Sequence, residues 1–127
     1  MKRLSRMTVL IITLLVISLT ACGSRFNGSR RGNSRELTMD YKIFNMTYSQ
    51  DFTVDPGETI KAVITVKRGS LAIKIQKDNE EPVYQNDNFS KSGEFDVEIQ
   101  EGGIYTVTLT GRNTKGRVSF TVENGRE

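Results

Sequence analysis

Residues 58–77 read ETIKAVITVKRGSLAIKIQK. Ile60, Ala62, Ile64 and Val66 fall on one side of a two-residue period, with Lys61, Thr65 and Lys67 on the other. Leu71, Ile73 and Ile75 repeat the pattern against Lys74 and Gln76. Successive side chains of an extended chain point to opposite faces, so this stretch predicts strands with one buried face. The Arg68-Gly69-Ser70 break between the two runs predicts a reversal.

The rest of the chain follows the same period. Phe95, Val97 and Ile99 alternate with Glu94, Asp96 and Glu98, and Tyr105, Val107 and Leu109 with Thr106, Thr108 and Thr110. Val118, Phe120 and Val122 close the series, with Ser119 and Thr121 facing out. Weaker strands are expected at 42–46, 50–54 and 82–85. Asp55-Pro56-Gly57-Glu58 puts Pro and Gly at the centre of a type II turn, and further reversals are expected at Glu101-Gly102-Gly103 and from Gly111 to Gly116. No segment sustains a helical period. Short strands that each carry one apolar face must bury it against one another, in two packed sheets or a closed barrel. The expected fold is all-β: a seven- to eight-stranded antiparallel β-sandwich, immunoglobulin-like or jelly-roll-like. Ile73, Val97, Val107 and Phe120 should lie inside, and Lys74, Glu98, Thr108 and Ser119 outside.

Glu101-Gly102-Gly103-Ile104-Tyr105-Thr106-Val107 resembles the acidic-x-Gly-x-Tyr-x-Cys stretch of immunoglobulin-like domains, with Val107 where the cysteine would stand. The resemblance implies a tyrosine corner, with the Tyr105 hydroxyl bonded back to nearby backbone. Over residues 44–123 the chain also resembles small lipoproteins and secreted proteins of Gram-positive bacteria. The carrying residues are Phe52-Thr53-Val54, Pro56-Gly57-Glu58-Thr59, Gly69-Ser70-Leu71 with Ile73, Ser92-Gly93, Gly103-Ile104-Tyr105-Thr106-Val107, Thr110-Gly111 and Lys115-Gly116. These are turn and core positions, so the resemblance implies fold and compartment and transfers no activity.

The N-terminus points to the same compartment. Lys2, Arg3 and Arg6 precede an apolar run from Met7 to Leu19, the length of a signal-peptide core and too short to span a bilayer. Leu19-Thr20-Ala21-Cys22 then resembles a bacterial lipobox. That resemblance implies cleavage before Cys22, a diacylglyceryl group on its sulfur (with palmitate or similar acyl chains) and anchoring to the extracytoplasmic face of the cell membrane. The expected organisation is a signal peptide over 1–21, the lipidated Cys22 with a flexible Arg/Gly/Ser tether over 22–36, and a β-sandwich domain over 37–124. The tether assignment rests on GSRFNGSRRGNSRE, whose only large apolar residue is Phe26.

Composition removes several chemistries. Cys22 is the only cysteine, so lipidation leaves no disulfide and no thiol nucleophile, and the absence of histidine removes the commonest general base and metal ligand. There is no tryptophan to stack on sugars or bases. Residues 37–124 hold ten basic and thirteen acidic residues, a net of −3, which disfavours nucleic acid as a partner. The four arginines of the tether, Arg25, Arg30, Arg31 and Arg35, could meet anionic headgroups or serve only to keep a spacer soluble.

The remaining polar clusters are weighed against ordinary surface. Asp78 to Glu81 and Asn86 to Asn88 supply oxygen atoms of the kind Ca²⁺ takes, without the spacing of a known calcium loop. Asp96 and Glu98 share one strand face and one environment, which does not separate their acidities as a carboxylate hydrolase requires. Asn45-Met46-Thr47 and Asn88-Phe89-Ser90 match a glycosylation acceptor only by spacing. Tyr41, Phe44, Tyr48, Tyr84 and Phe89 either fill the ends of the sandwich or form an exposed patch. No catalytic, metal or cofactor residues are assigned. The expected function is a monomeric, non-enzymatic module at the membrane that contacts an envelope protein or a cell-wall polymer. An inhibitor or immunity lipoprotein is the second class, and a carboxylate-dependent hydrolase the third.

Overall fold

A computed structural model describes residues 25–124. It is all-β, with seven strands: β1 (Phe26–Asn33), β2 (Glu36–Phe44), β3 (Thr47–Val54), β4 (Glu58–Lys77), β5 (Tyr84–Phe89), β6 (Gly93–Glu98) and β7 (Gly103–Asn124). All their ladders are antiparallel.

Two long strands organise the rest. β4 and β7 run against each other from Glu58↔Asn124 to Lys77↔Tyr105, bending midway. On one side of the bend β1, β2, the second half of β7, the first half of β4 and β6 form a five-stranded layer. On the other side β3, the first half of β7, the second half of β4 and β5 form a four-stranded layer. The inner faces of both layers contribute to a single core, which includes Leu37, Met39, Ile60, Ile64, Val118 and Phe120 from one and Phe52, Leu71, Ile73, Ile75, Val107 and Leu109 from the other. The four positions expected inside are buried: Ile73 (1 % exposed), Val97 (8 %), Val107 (0 %) and Phe120 (0 %). Their outward neighbours Lys74, Glu98, Thr108 and Ser119 are exposed or half-buried.

The bend corrects two expectations. Arg68-Gly69-Ser70 and the Gly111 to Gly116 segment are not reversals between strands; each is an irregular stretch within one continuous strand, and the two lie opposite each other. Register slips between Val66 and Arg68 and again between Arg68 and Ser70, then recovers, since Ile64 pairs with Val118 before the bend and Ile73 with Leu109 after it. Inward positions in β4 are even-numbered before the bend and odd-numbered after it, a change of parity that bulges permit. Glycine makes this approach possible. Gly69 has φ +75°, and a Cβ on Gly116 would stand 1.9 Å from the Thr65 carbonyl oxygen.

A third correction concerns the tether. Residues 26–33 lie within the segment expected to be flexible, yet they form β1, paired along β2 from Phe26↔Phe44 to Asn33↔Glu36. Directly paired residues share a face, so the inward positions of β1 opposite Tyr41, Met39 and Leu37 are Gly28, Arg30 and Gly32. Composition hides such a strand, because it has no apolar alternation. It is held by its neighbours instead. Phe26 packs edge-on against Phe44, with ring centroids 5.7 Å apart, and the Arg30 guanidinium lies 4.8 Å from the Phe26 ring and 4.5 Å from that of Tyr48 on β3. Gln50 of β3 adds hydrogen bonds from its Nε2 to the carbonyls of Asn33 (2.8 Å) and Glu36 (2.9 Å).

The opposite edge is closed by aromatic stacking. Tyr84 of β5 lies flat on Phe95 of β6, with centroids 3.8 Å apart and planes 7° from parallel. Among the described residues no ladder joins β1 to β3 or β5 to β6; apart from one backbone bond, Thr53 N–H to the Ser34 carbonyl at 2.9 Å, the contacts closing the edges come from side chains, and the molecule is a sandwich rather than a barrel. The aromatics at issue sit accordingly: Tyr41 and Phe44 are buried, while Tyr48, Tyr84 and Phe89 are half-buried against the core.

Candidate functional site

The outer face of the four-stranded layer carries no core residue, and its outward positions are almost all hydrogen-bonding side chains. β3 presents Thr47, Ser49 and Asp51, and β7 presents Thr106, Thr108 and Thr110 directly opposite them. Thr47 and Thr110 share a hydrogen bond of 3.1 Å, Ser49 donates to Thr108 at 3.1 Å, and Thr106 donates to Asp51 at 2.8 Å. Threonine suits this surface because its branched Cβ favours an extended backbone while its hydroxyl faces water. Beside this ladder runs an open trough of about 240 Å³, lined by Lys74 and Ala72 of β4, Gln85 and Asp87 of β5, and Thr108, Thr110 and Arg112 of β7. Arg112 Nη1 donates to the Asp87 carbonyl at 2.6 Å and Gln85 Nε2 to Asp87 Oδ1 at 3.2 Å, so the β5 wall of the trough is braced. The trough offers donors and acceptors together on a rigid sheet. It fits an extended ligand rich in hydroxyl or amide groups better than an apolar one.

A second depression, of about 320 Å³, lies at the end of the sandwich where the described chain begins. Its lining includes Lys42 and Asp40 of β2, Lys67 of β4 and Lys115 of β7. Backbone irregularity creates it. The β1–β2 register shifts between Asn27 and Gly28, the β2–β7 register shifts between Tyr41 and Phe44, and Gly28, Tyr41 and Gly116 stand at these breaks. Asp40 is itself engaged by Arg117, whose Nη1 donates to Oδ2 at 2.6 Å.

The strongly perturbed acidities belong to the framework. Glu58 is held down to about 2, first by the side-chain hydrogen bonds of Arg35 and then by the Asp55 N–H. Tyr41 is pushed up to about 12, mainly by burial and secondarily by the charge of Asp40. Glu101 is lowered and Lys77 raised by their mutual ion pair. None of these groups lines the trough.

The sequence-derived candidates fall as follows. Asp96 and Glu98 are exposed on β6, an edge strand, where they pair across the ladder with Lys61 and Thr59 and line neither the trough nor the second depression. Among the described residues no group of three or more carboxylates is gathered to hold a metal. Asn86 and Asn88 instead form a local turn-like bond, Asn88 N–H to Asn86 Oδ1 at 3.0 Å. The Tyr105 hydroxyl donates to the Glu101 carbonyl at 2.5 Å, the back-bond expected of a tyrosine corner. Cys22, expected from the sequence to carry the lipid, lies outside the described residues. The lysines of the second depression were not assigned from sequence, because they come from three strands and form no local run.

No family model and no curated protein matches the chain. A solved structure described as "CBM4 structure and function" is similar to it at 10 % identity and a TM-score of 0.41, covering 80 % of this chain and 80 % of that one. Nothing about residues or ligand carries over at that level.

Proposed function

We propose that this chain is an extracytoplasmic lipoprotein, anchored through Cys22, whose β-sandwich is a non-catalytic binding module for a cell-wall polymer. The single observation that supports the ligand class is the trough on the four-stranded layer. There Lys74, Gln85, Thr108, Thr110 and Arg112 place hydrogen-bonding groups around a solvent-open depression of about 240 Å³. A solvent-open depression lined by donors and acceptors suits one face of a polar polymer, whereas a small metabolite would gain more from an enclosed cavity. The strongly shifted carboxyl of Glu58 is committed to Arg35 at an end of the sandwich, away from the trough, which favours binding over hydrolysis.

The test is co-sedimentation of the processed chain with insoluble cell-wall polymer. Gln85→Ala with Thr108→Ala, both at outward positions, should leave the melting curve nearly unchanged and reduce the bound fraction several-fold. Equal binding by this variant would remove the trough from the account. Retention on an envelope protein but not on the polymer would replace the polymer with a protein partner.

A further inference from the structure

The charge of the folded domain is sorted along its long axis. One end is made of residues 25–27, 42–46, 66–70, 89–93 and 110–116, brought together by the pairs Phe26↔Phe44, Val66↔Gly116, Ile64↔Gly93, Leu71↔Phe89 and Thr47↔Thr110. These segments hold seven basic residues (Arg25, Lys42, Lys67, Arg68, Lys91, Arg112 and Lys115) and no acidic one. All but the half-buried Lys115 are exposed, and among the described residues none of the seven is in an ion pair. The other end is made of residues 33–36, 54–59, 77–83, 98–103 and 122–124, and holds nine acidic and two basic residues. Those two cations, Arg35 and Lys77, are each paired with a carboxylate, Glu58 and Glu101. A net charge of −3 over 37–124 therefore conceals a strong dipole.

The chain enters at the basic end. Arg25 accepts a backbone bond from Asn45 at 2.8 Å, and β1 starts at the next residue. Cys22 is three residues before Arg25, so covalent geometry holds their Cα atoms within ~11 Å of each other. β1 takes up residues that would otherwise lengthen a spacer. An acyl chain on Cys22 therefore brings the basic end to the headgroups, about one Debye length from the surface at physiological salt.

We propose that this basic end docks on the anionic lipid surface to which Cys22 is anchored, fixing the long axis of the sandwich roughly normal to the membrane. The proposal rests on the anchoring reading above. Charge complementarity and the point of chain entry select the lipid surface over other polyanions, since both act at the same end of the molecule. The depression lined by Lys42, Lys67 and Lys115 is wide enough to seat a headgroup phosphate, and the one carboxylate in its lining, Asp40, is already paired with Arg117. In this orientation the acidic end points outward, and the trough lies along a side wall, open to polymer passing parallel to the axis.

The test uses residues 22–127 carrying Cys22→Ser, which retain every strand and the whole core but no acyl group. Sedimentation with vesicles of phosphatidylcholine alone and with one-third phosphatidylglycerol reads docking separately from acylation. The expected result is binding to the anionic vesicles only, weakening as salt rises. Lys67→Glu with Arg68→Glu should lower it at least tenfold, since each basic residue near such a surface contributes roughly fivefold. Arg31→Glu with Lys61→Glu makes the same change of charge on the sheet face and should lower it far less. Lys42→Ala with Lys91→Ala, both exposed, gives an independent reading should the first pair disturb the bend. No binding to anionic vesicles, equal loss in the end and face variants, or binding to soluble polyphosphate but not to vesicles would each overturn the proposal. A negative vesicle result leaves the Cys22 anchor standing, and a missing acyl label leaves the vesicle result standing.

Discussion

Arg35 and Glu58 form a two-pronged ion pair that ties the β1–β2 turn to the start of β4, with Nη1 to Oε1 at 2.8 Å and Nη2 to Oε2 at 2.6 Å. Arg35 Nη1 also reaches the Thr53 carbonyl at 3.0 Å, so one guanidinium joins β1–β2, β3 and β4 at the acidic end. Paired, bidentate geometry of this kind is the form in which a surface ion pair contributes measurably.

Acid should therefore weaken the fold through Glu58. Its folded value of about 2 lies below its ordinary 4.5. The stabilisation is fully present above 4.5 and is lost as pH falls through about 2. Because Arg35 is partly exposed, the contribution is discounted to about 1 kcal/mol. Urea unfolding at pH 7 and pH 2.5 should show a larger drop for the native chain than for Glu58→Gln. Identical drops would mean that the pair is solvent-screened to nothing.

Tyr105→Phe removes the hydroxyl that satisfies the Glu101 carbonyl at the start of β7. The expected cost is about 1–2 kcal/mol, with the denaturant midpoint lowered at unchanged slope. An unchanged midpoint would show that water replaces the bond without loss.

Core and face positions should separate cleanly. Ile73→Ala and Phe120→Ala each truncate a buried core side chain and should cost about 2–5 kcal/mol. Lys74→Ala and Ser119→Ala, on the adjacent outward positions, should stay within about 0.5 kcal/mol. Comparable losses at both sets would contradict the register.

A chain beginning at Glu36 should be less stable than one beginning at Cys22. Without β1 the edge of β2 is unpaired, Phe44 loses the Phe26 ring, and Gln50 loses the Asn33 carbonyl. Open edges of this kind invite pairing with other chains. Thermal unfolding and light scattering of the two chains decide it; equal stability would return residues 26–33 to the role of a spacer.

Strands with a simple binary pattern were legible. Ile60-Ala62-Ile64, Leu71-Ile73-Ile75, Tyr105-Val107-Leu109 and Val118-Phe120-Val122 all face inward, as their alternation requires. β2 began later in the sequence reading than in the fold, although Leu37, Met39 and Tyr41 carry its core face. β1 was not legible, because its inward positions are Gly28, Arg30 and Gly32, and its fixation comes from residues of β2 and β3 distant in the chain. Gly69 and Gly116 signalled a break in the backbone but not its kind. Only the pairing of their two segments, Val66 with Gly116 and Ser70 with Arg112, distinguishes one bend in a long hairpin from two separate turns. The basic end was hidden for a related reason. Its seven cations are scattered over five segments, and the local run of arginines between Arg25 and Arg35 is dispersed by the fold, with Arg30 stacked between rings and Arg35 carried to the acidic end.

The central claim is that this sandwich stands at a membrane through Cys22, and metabolic labelling with a clickable fatty acid tests it most directly. In cells making the full chain, label should appear on the protein and fractionate with membranes. Cys22→Ala should carry no label and should either retain residues 1–21 or escape to the medium. Label that persists in Cys22→Ala, or a native chain that carries none, would contradict the claim.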